Sequence, residues 1–366
     1  HLDPTETELR VRMRIDGVMT SIMAVPKDLQ SSVLARLKIM GGMDITERRI
    51  PQDGRAGVVA HDRNYDLRIS TLPTIYGEKV VIRLLDKNSG LLTKERIGLT
   101  GADLQKYQEL LDHSSGVVLI AGPTGSGKSS TMYTMIRQLN TSEVNMMTLE
   151  DPVEYNVDGV NQTQINEKVG MTFASGLRSI LRQDPDVIAV GEIRDGETAE
   201  IAMRAAITGH LVLSTIHTNN APATIDRLRD IGVPNYLIAT ALNGVISQRL
   251  VRRVCPECKE AYTPDTEELA ELGLDPASRL TFYRGGGCPN CFGTGYRGRV
   301  AVFEILNMTH RLRNAVSRGA QLDELMTILK EEGRFTPLEE NCRRLVLEGT
   351  TTTSEVRRLI GASAEG

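Results

Sequence analysis

The sequence predicts an α/β protein whose larger part is a mostly parallel sheet, and three observations lead there. Val117–Ala121, Val187–Val190 and Leu211–Ile216 are short, almost wholly apolar runs, as expected of strands buried on both faces of a sheet. Helical stretches such as Thr198–Ile207 lie between some of them, and strands that alternate with helices build parallel sheets. Gly122-Pro123-Thr124-Gly125-Ser126-Gly127-Lys128-Ser129 follows the first run and precedes a helical stretch at Lys128–Leu139. It fits the spacing G-x-x-x-x-G-K-[ST].

Taken from the start, residues 1–90 read as a small α/β domain. Leu9–Ile15 alternates apolar and charged residues, the mark of a half-buried strand. Pro26 opens a helix that carries Leu29, Val33, Leu37 and Met40 on one face and stops at Gly41-Gly42, since proline suits a first turn and glycine a helix end. Tyr65–Thr71 and Lys79–Leu85 are further strands. The stretch from Asp86 to Gly101 contains Asn-Ser-Gly and little periodicity, so a linker is placed at 91–101. The parallel sheet then occupies 102–253. From 254 to 299 the texture turns rich in cysteine, proline and glycine. Residues 300–366 read as a small helical part, with Thr352 and Glu355 as a capping box before its last helix.

Apolar residues make up 40% of the 366 and charged residues 25%, a composition that can bury real cores and does not suit disorder. The net charge of −4 and isoelectric point near 6.0 argue against nucleic acid as a partner. No apolar run approaches the roughly 18 residues of a membrane span, and the start lacks a signal-peptide pattern. A cytoplasmic location without membrane insertion is therefore expected, with any membrane link made through a partner. His1 in place of an initiator Met leads to the expectation of a longer parent chain.

The glycine-rich stretch has the chemistry of a phosphate cradle. Glycines let main-chain N–H groups turn inward, and the following helix adds the positive end of its dipole. Lys128 then reaches the β- and γ-phosphates and Ser129 ligates Mg²⁺. A chance glycine-rich turn is the alternative, and the strand before and the helix after count against it. Such a site also needs acidic groups at neighbouring strand ends. Val187–Val190 runs into Gly191-Glu192, and Thr148–Glu154 brings Glu150, Asp151 and Glu154 together. Carboxylates this close repel one another unless a cation compensates, which implies Mg²⁺; a solvated acidic turn is the alternative. His217 ends the run Leu211–Ile216, at the edge where ligands bind open sheets, as a γ-phosphate sensor or as a structural histidine. Arg178 and Arg182 share a helical face beside Leu177, Ile180 and Leu181, either as functional groups or as an exposed pair balanced by Asp184 and Asp186.

Four of the five cysteines form two Cys-x-x-Cys pairs, Cys255/Cys258 and Cys288/Cys291, with 29 residues between the pairs. Two such turns can complete a closed, structural four-thiolate Zn²⁺ site, and the gap leaves room for an inserted helix at Thr266–Leu272. Redox pairs or free buried thiols are the alternatives. Cys342 reads as a small buried apolar residue.

In this order along the chain, the motifs resemble the secretion ATPases of type II secretion and type IV pilus assembly, the general secretion pathway protein E family. The resemblance covers essentially the whole chain. His1-Leu-Asp-Pro4 looks like the tail of that family's S-D-I-H-x-E-P stretch, followed by Arg10-Val-Arg12-Met-Arg14-Ile-Asp16-Gly17 and Pro51-Gln-Asp-Gly-Arg55. Thr148–Glu154 resembles its Asp box, Gly191-Glu-Ile-Arg-Asp195 its Walker B motif, and Thr208-Gly-His210 through His217-Thr218-Asn219 its His box. The family usually carries a further N-terminal domain, which this sequence does not include.

The resemblance implies a PAS-like α/β domain, a RecA-like P-loop ATPase domain, a zinc module and a helical C-terminal part. It implies ATP and Mg²⁺ held by Gly122 through Ser129 and by Ser130. Glu154 would be the general base and Glu192 would act on the Mg²⁺ side, with Glu150 and Asp151 in support. His210 and His217 would couple the γ-phosphate to neighbouring structure. Arg68 and Arg83 match arginines that reach the nucleotide from the N-terminal domain, and Arg178 and Arg182 match a second pair. A guanidinium that arrives on closure would stabilise the charge spread over the γ-oxygens. The family forms homo-hexameric rings that drive an inner-membrane platform protein to add pilin or pseudopilin subunits to a fibre. Three rivals remain: a pilus retraction motor, a RecA-like nucleic-acid translocase, and a nucleotide-dependent scaffold without hydrolysis.

Overall fold

Alternating patterns in the first ninety residues call for a sheet covered on one face, and buried runs farther on call for a sheet covered on both. Both are present. The structure, a computed structural model, describes residues 1–86, 93–95 and 97–364, and every count below is made among these residues. The chain divides into two compact units, His1–Leu91 and Leu92–Gly366. Of the expected linker, residues 91, 92 and 96 lie outside the described residues.

The first unit contains β1 (Leu2–Pro4), β2 (Glu8–Ile15), β3 (Val18–Pro26), α1 (Gln30–Gly41), β4 (Gln52–Ala60), β5 (Arg63–Thr74) and β6 (Gly77–Asp86). Its strands form one antiparallel sheet in the order β3-β2-β1-β6-β5-β4. Leu9, Leu67, Ile69 and Val80 pack with Leu34 of α1 in one core. Side chains alternate across a strand, so Arg68, between Leu67 and Ile69, leaves on the other face. The buried line of α1 differs from the expected one. Leu29 lies in a short 3-10 turn ahead of the helix and is half exposed, while Gln30, Leu34, Lys38 and Gly41 are buried. The helix is rotated because Lys38 turns inward, 2.6 Å from Glu78, and donates to the Glu47 carbonyl at 2.6 Å. Strand β4 is not apparent in the sequence because Gly54, Arg55 and Gly57 blunt its alternation. Gly54 is required there: a Cβ would lie 2.3 Å from the Gly41 carbonyl oxygen.

The second unit begins with α2 (Gly101–Leu111), β7 (Gly116–Ala121), α3 (Lys128–Leu139), β8 (Met146–Glu150), β9 (Asn161–Gln164), α4 (Phe173–Ile180) and β10 (Val187–Val190). It continues with α5 (Gly196–Ile207), β11 (Leu211–Ile216), α6 (Ala223–Asp230), α7 (Asn235–Ala241) and β12 (Leu242–Val254). An excursion follows, made of β13 (Lys259–Tyr262), α8 (Thr266–Glu271) and β14 (Phe282–Gly285). The chain then returns as β15 (Tyr296–Asn307) and ends in α9 (His310–Ser317), α10 (Leu322–Glu332), α11 (Leu338–Leu347) and α12 (Thr353–Ala364).

Seven strands lie in the order β15-β12-β7-β11-β10-β8-β9. All neighbours are parallel except β12 and β15. Every residue of β7, β10 and β11 is buried, as their apolar composition demands. Strand β15 belongs to this sheet and spans the boundary at 299/300. The cysteine excursion therefore hangs between two paired strands. Leu269 and Phe282 of the excursion share a core with Leu338, Cys342 and Val346 of α11. Cys342 is fully buried there. The expected pairing of Thr352 with Glu355 is replaced: the Glu355 carboxylate accepts from Arg252 Nε at 2.9 Å, Nη2 at 2.7 Å and the Arg252 main-chain N–H at 2.8 Å. That ion pair ties α12 to β12. No helix among the described residues is long and apolar enough to cross a membrane.

Candidate active site

Parallel strands gather the loops that follow them on one edge, where ligands bind. Ala121 of β7 is opposite Ile216 of β11, and Val190 of β10 is opposite both Ser214 and Leu149. The glycine-rich loop, Glu192, His217 and Glu150 consequently share that edge.

Gly122 has φ +147, and a Cβ there would lie 2.5 Å from Ser126 Oγ and 2.6 Å from the Gln248 carbonyl oxygen. Gly127, at φ +91, would bring a Cβ to 2.8 Å from Gln248 Nε2. These two glycines are thus demanded by both conformation and space. Gln248 of β12 braces the loop directly. Its Nε2 donates to the Ser126 carbonyl at 2.7 Å, and its Oε1 accepts from Thr131 Oγ1 at 2.6 Å. No sequence signal singled it out, because it sits inside a long buried strand.

Behind the loop, α3 presents the unsatisfied N–H groups of a twelve-residue helix, a favourable place for phosphate. Ser129 is exposed at its start, within reach of solvent and metal. Lys128 Nζ donates to the carbonyls of Gly122 at 2.7 Å and Pro123 at 3.1 Å. Burial draws the Lys128 amine down to about 8, with Glu192 opposing and Arg249 assisting.

Glu192 forms an ion pair with Arg194, and its other oxygen lies 3.5 Å from His217 Nε2. Burial and the nearby Lys128 charge hold the His217 imidazole below its usual range, against Glu192, so the neutral ring dominates near pH 7. Glu150 behaves otherwise than its sequence suggests. It is buried and accepts from Tyr133 Oη, from Thr148 Oγ1 at 2.6 Å and from Gln162 Nε2 at 3.0 Å. These three hydrogen bonds stabilise the carboxylate. Tyr133 Oη also accepts the main-chain N–H groups of Glu154 and Tyr155, each at 3.2 Å. Tyr133 therefore fixes the segment carrying partly buried Glu154, a role the sequence did not reveal. Asp151 is exposed. Among the described residues, metal-binding spacing occurs in the four cysteines and not in this acidic cluster.

Two further expectations are revised. His210 sits at the opposite end of β11, where Nδ1 lies 2.8 Å from the Ala205 carbonyl and its own carbonyl accepts from Gly116. Six residues along β11 separate it from Ile216 at the phosphate edge, about 20 Å at ~3.3 Å per residue, so within one chain it braces the end of α5 away from the glycine-rich loop. Arg178 lies exposed on the last turn of α4 and Arg182 lies exposed in the turn just beyond it, so the two do not share a helix. Arg178 pairs with Glu197 at 2.6 Å and Arg182 Nη1 donates to the Arg178 carbonyl at 2.8 Å, whereas Asp186 accepts the Asn145 main-chain N–H. The expected balance with Asp184 and Asp186 is not the one formed. In the first unit, Arg68 and Arg83 stand directly opposite on β5 and β6.

In the excursion, Cys255 Sγ lies 3.8 Å from Cys288 Sγ, Cys258 Sγ 3.9 Å from Cys291 Sγ, and Cys288 Sγ 3.7 Å from Cys291 Sγ. Four thiolates about 2.3 Å from one tetrahedral zinc would stand ~3.8 Å apart. The donor set and its spacing fit that metal.

A glycine-bounded phosphate loop, its lysine and a strand-end glutamate on a parallel sheet define a P-loop ATPase. The chain belongs to the type II/IV secretion system protein family, whose pattern matches residues 1–358, and is an ATP hydrolase of that family. It is 46% identical over 359 residues to the type II secretion system protein E of Pseudomonas aeruginosa, covering 98% of this chain and 71% of that protein. It is also 46% identical over 358 residues to the type IV pilus assembly ATPase PilB of Thermus thermophilus, covering 97% of this chain and 40% of that one. The solved structure of the pilus retraction motor PilT with bound ADP superposes with a TM-score of 0.64 at 26% identity, over 98% of this chain and 93% of the other.

Neither Glu154 nor Glu192 belongs to the cradle itself. Glu154→Gln and Glu192→Gln are each expected to abolish steady-state turnover while ATP binding stays close to that of the unaltered chain. Lys128→Ala should instead weaken binding. Near-normal hydrolysis by Glu154→Gln would remove it as the base.

Proposed function

We propose that this chain is the ATP-driven motor of a fibre-assembly system, in type IV pilus biogenesis or type II secretion, acting from the cytoplasmic face on an inner-membrane platform protein. The observation that carries the reading is the convergence of Lys128, Glu192 and His217 on one sheet edge, in a chain that matches secretion and pilus assembly ATPases along nearly its whole length. The residues from Gly122 to Ser130 hold the phosphates, and Ser129 and Glu192 hold Mg²⁺. Glu154 orients the attacking water. Bound Mg²⁺ supplies charge neutralisation at the phosphate oxygens.

Residues 1–90 act as the moving domain of a homo-hexameric ring and deliver Arg68 and Arg83 to the nucleotide. Arg178 at the end of α4 and Arg182 just beyond it, both exposed, form a second pair for the same charge. Cys255, Cys258, Cys288 and Cys291 hold one structural Zn²⁺. A retraction motor is the nearest alternative, supported by the likeness to PilT; the cysteine cluster favours assembly, since retraction motors generally lack it.

Zinc analysis of the chain purified without chelator should find about one equivalent, lost in Cys255→Ser together with stability of the C-terminal part. Its absence from the intact protein would refute the metal site. For the motor, Arg68→Ala and Arg83→Ala should each lower kcat by at least about tenfold, the low end for arginines acting on a transferring phosphoryl group. Nucleotide affinity should fall much less. Steady-state ATPase on size-matched oligomers checks this, with Arg36→Ala, exposed on α1, as the control and with single-stranded DNA in parallel. Turnover equal to the control would exclude domain closure from catalysis, and stimulation by DNA would point to a translocase.

A further inference from the structure

Gln248 and Arg249 are consecutive on β12, so their side chains leave opposite faces of the strand. Gln248 grips the phosphate loop. Arg249, only 7% exposed, reaches Asn219, two residues beyond His217. Its Nη2 donates to the Asn219 carbonyl at 3.2 Å and to Asn219 Oδ1 at 3.1 Å. The same loop is pinned again at Ala221, whose N–H donates to Glu304 Oε1 of β15 at 2.6 Å. The other Glu304 oxygen accepts from the main-chain N–H of Leu338, the first residue of α11, at 3.1 Å.

Buried ions are a poor way to gain stability, because an apolar replacement often packs as well. Arg249 carries such a cost: its Nε is buried with no hydrogen-bond partner among the described residues, and burial opposes its charge while the Glu304 carboxylate favours it. Glu304, 4% exposed, is held above the usual carboxylate range by burial, against the two N–H groups it accepts. What this arrangement supplies is position. His217 stands beside Glu192 at 3.5 Å, and geometry of that kind is lost when a loop shifts by roughly 1 Å.

We infer that Arg249 is a positioning residue for ATP hydrolysis: through Asn219 it holds the loop carrying His217 in register with the phosphate loop, while Glu304 joins that loop to the C-terminal helices. The inference rests on the chain being an ATP hydrolase, and turnover by the unaltered chain in the same assay tests that separately.

The experiment compares Arg249→Met, Arg249→Lys, Asn219→Ala and the Met/Ala double variant, by steady-state ATPase and by titration with a fluorescent ATP analogue. Arg249→Met should lose at least about tenfold in kcat with analogue affinity within about threefold. Arg249→Lys, which keeps one donor for the Asn219 carbonyl, should recover much of the loss. The double variant should be no worse than Arg249→Met alone, because both changes break one link. If Arg249→Met does not fold, Asn219→Ala carries the test with the same split between kcat and affinity. Full turnover by Arg249→Met or Asn219→Ala overturns the inference. So do parallel losses of kcat and affinity, or strictly additive effects in the double variant.

Discussion

A phosphate loop must aim main-chain N–H groups at an anion, and glycine-rich chain has no side chains with which to hold that shape. Here the shape is held from outside, by Gln248. Its amide takes the Ser126 carbonyl with one end and Thr131 with the other, so the loop and the first turn of α3 are locked to the neighbouring strand. Gln248 can do so because β12 lies parallel to β7, and because β15 backs β12 along nearly its full length. The cysteine excursion leaves from one of these strands and returns on the other. A metal closing it would therefore fasten the brace and not the chemistry.

The electrostatics follow the same division. Glu150, the last residue of β8, is consumed by three hydrogen bonds and orders the segment of Glu154 through Tyr133. Lys128, Glu192 and His217 remain mutually adjusted and partly open. Lys128 makes do with two carbonyls, and Glu192 is shared between Arg194 and His217. Each of these contacts is one that an arriving phosphate and its cation can exchange for a stronger charged partner.

Much of this was legible in the sequence, for identifiable reasons. The strands β7, β10 and β11 read correctly because burial on both faces leaves an unbroken apolar run, and the glycine-rich loop lies between β7 and α3, where its flanking patterns place it. The four cysteines converge as their spacing suggests. What could not be read depends on contacts distant in sequence. Gln248 and Tyr133 look like ordinary interior residues until β12 and α3 are placed beside the loops they hold. Glu150 looks like a metal ligand until Tyr133, Thr148 and Gln162 close around it. His210 and His217 are both strand-end histidines, and only the direction of β11 shows that one faces the phosphate edge and the other faces away. The inward turn of Lys38, which rotates α1, depends on Glu78 forty residues later.

The central claim is that the phosphate loop is shaped by β12. The most direct measurement is the affinity of a fluorescent ATP analogue for Gln248→Ala, with the melting profile and zinc content compared to the unaltered chain. The substitution orphans the Ser126 carbonyl and the Thr131 hydroxyl, a loss of about 1–3 kcal/mol, so affinity should fall roughly tenfold to a hundredfold while the rest of the fold persists. Affinity within about twofold of the unaltered chain, with Gln248→Ala folded, would contradict the account.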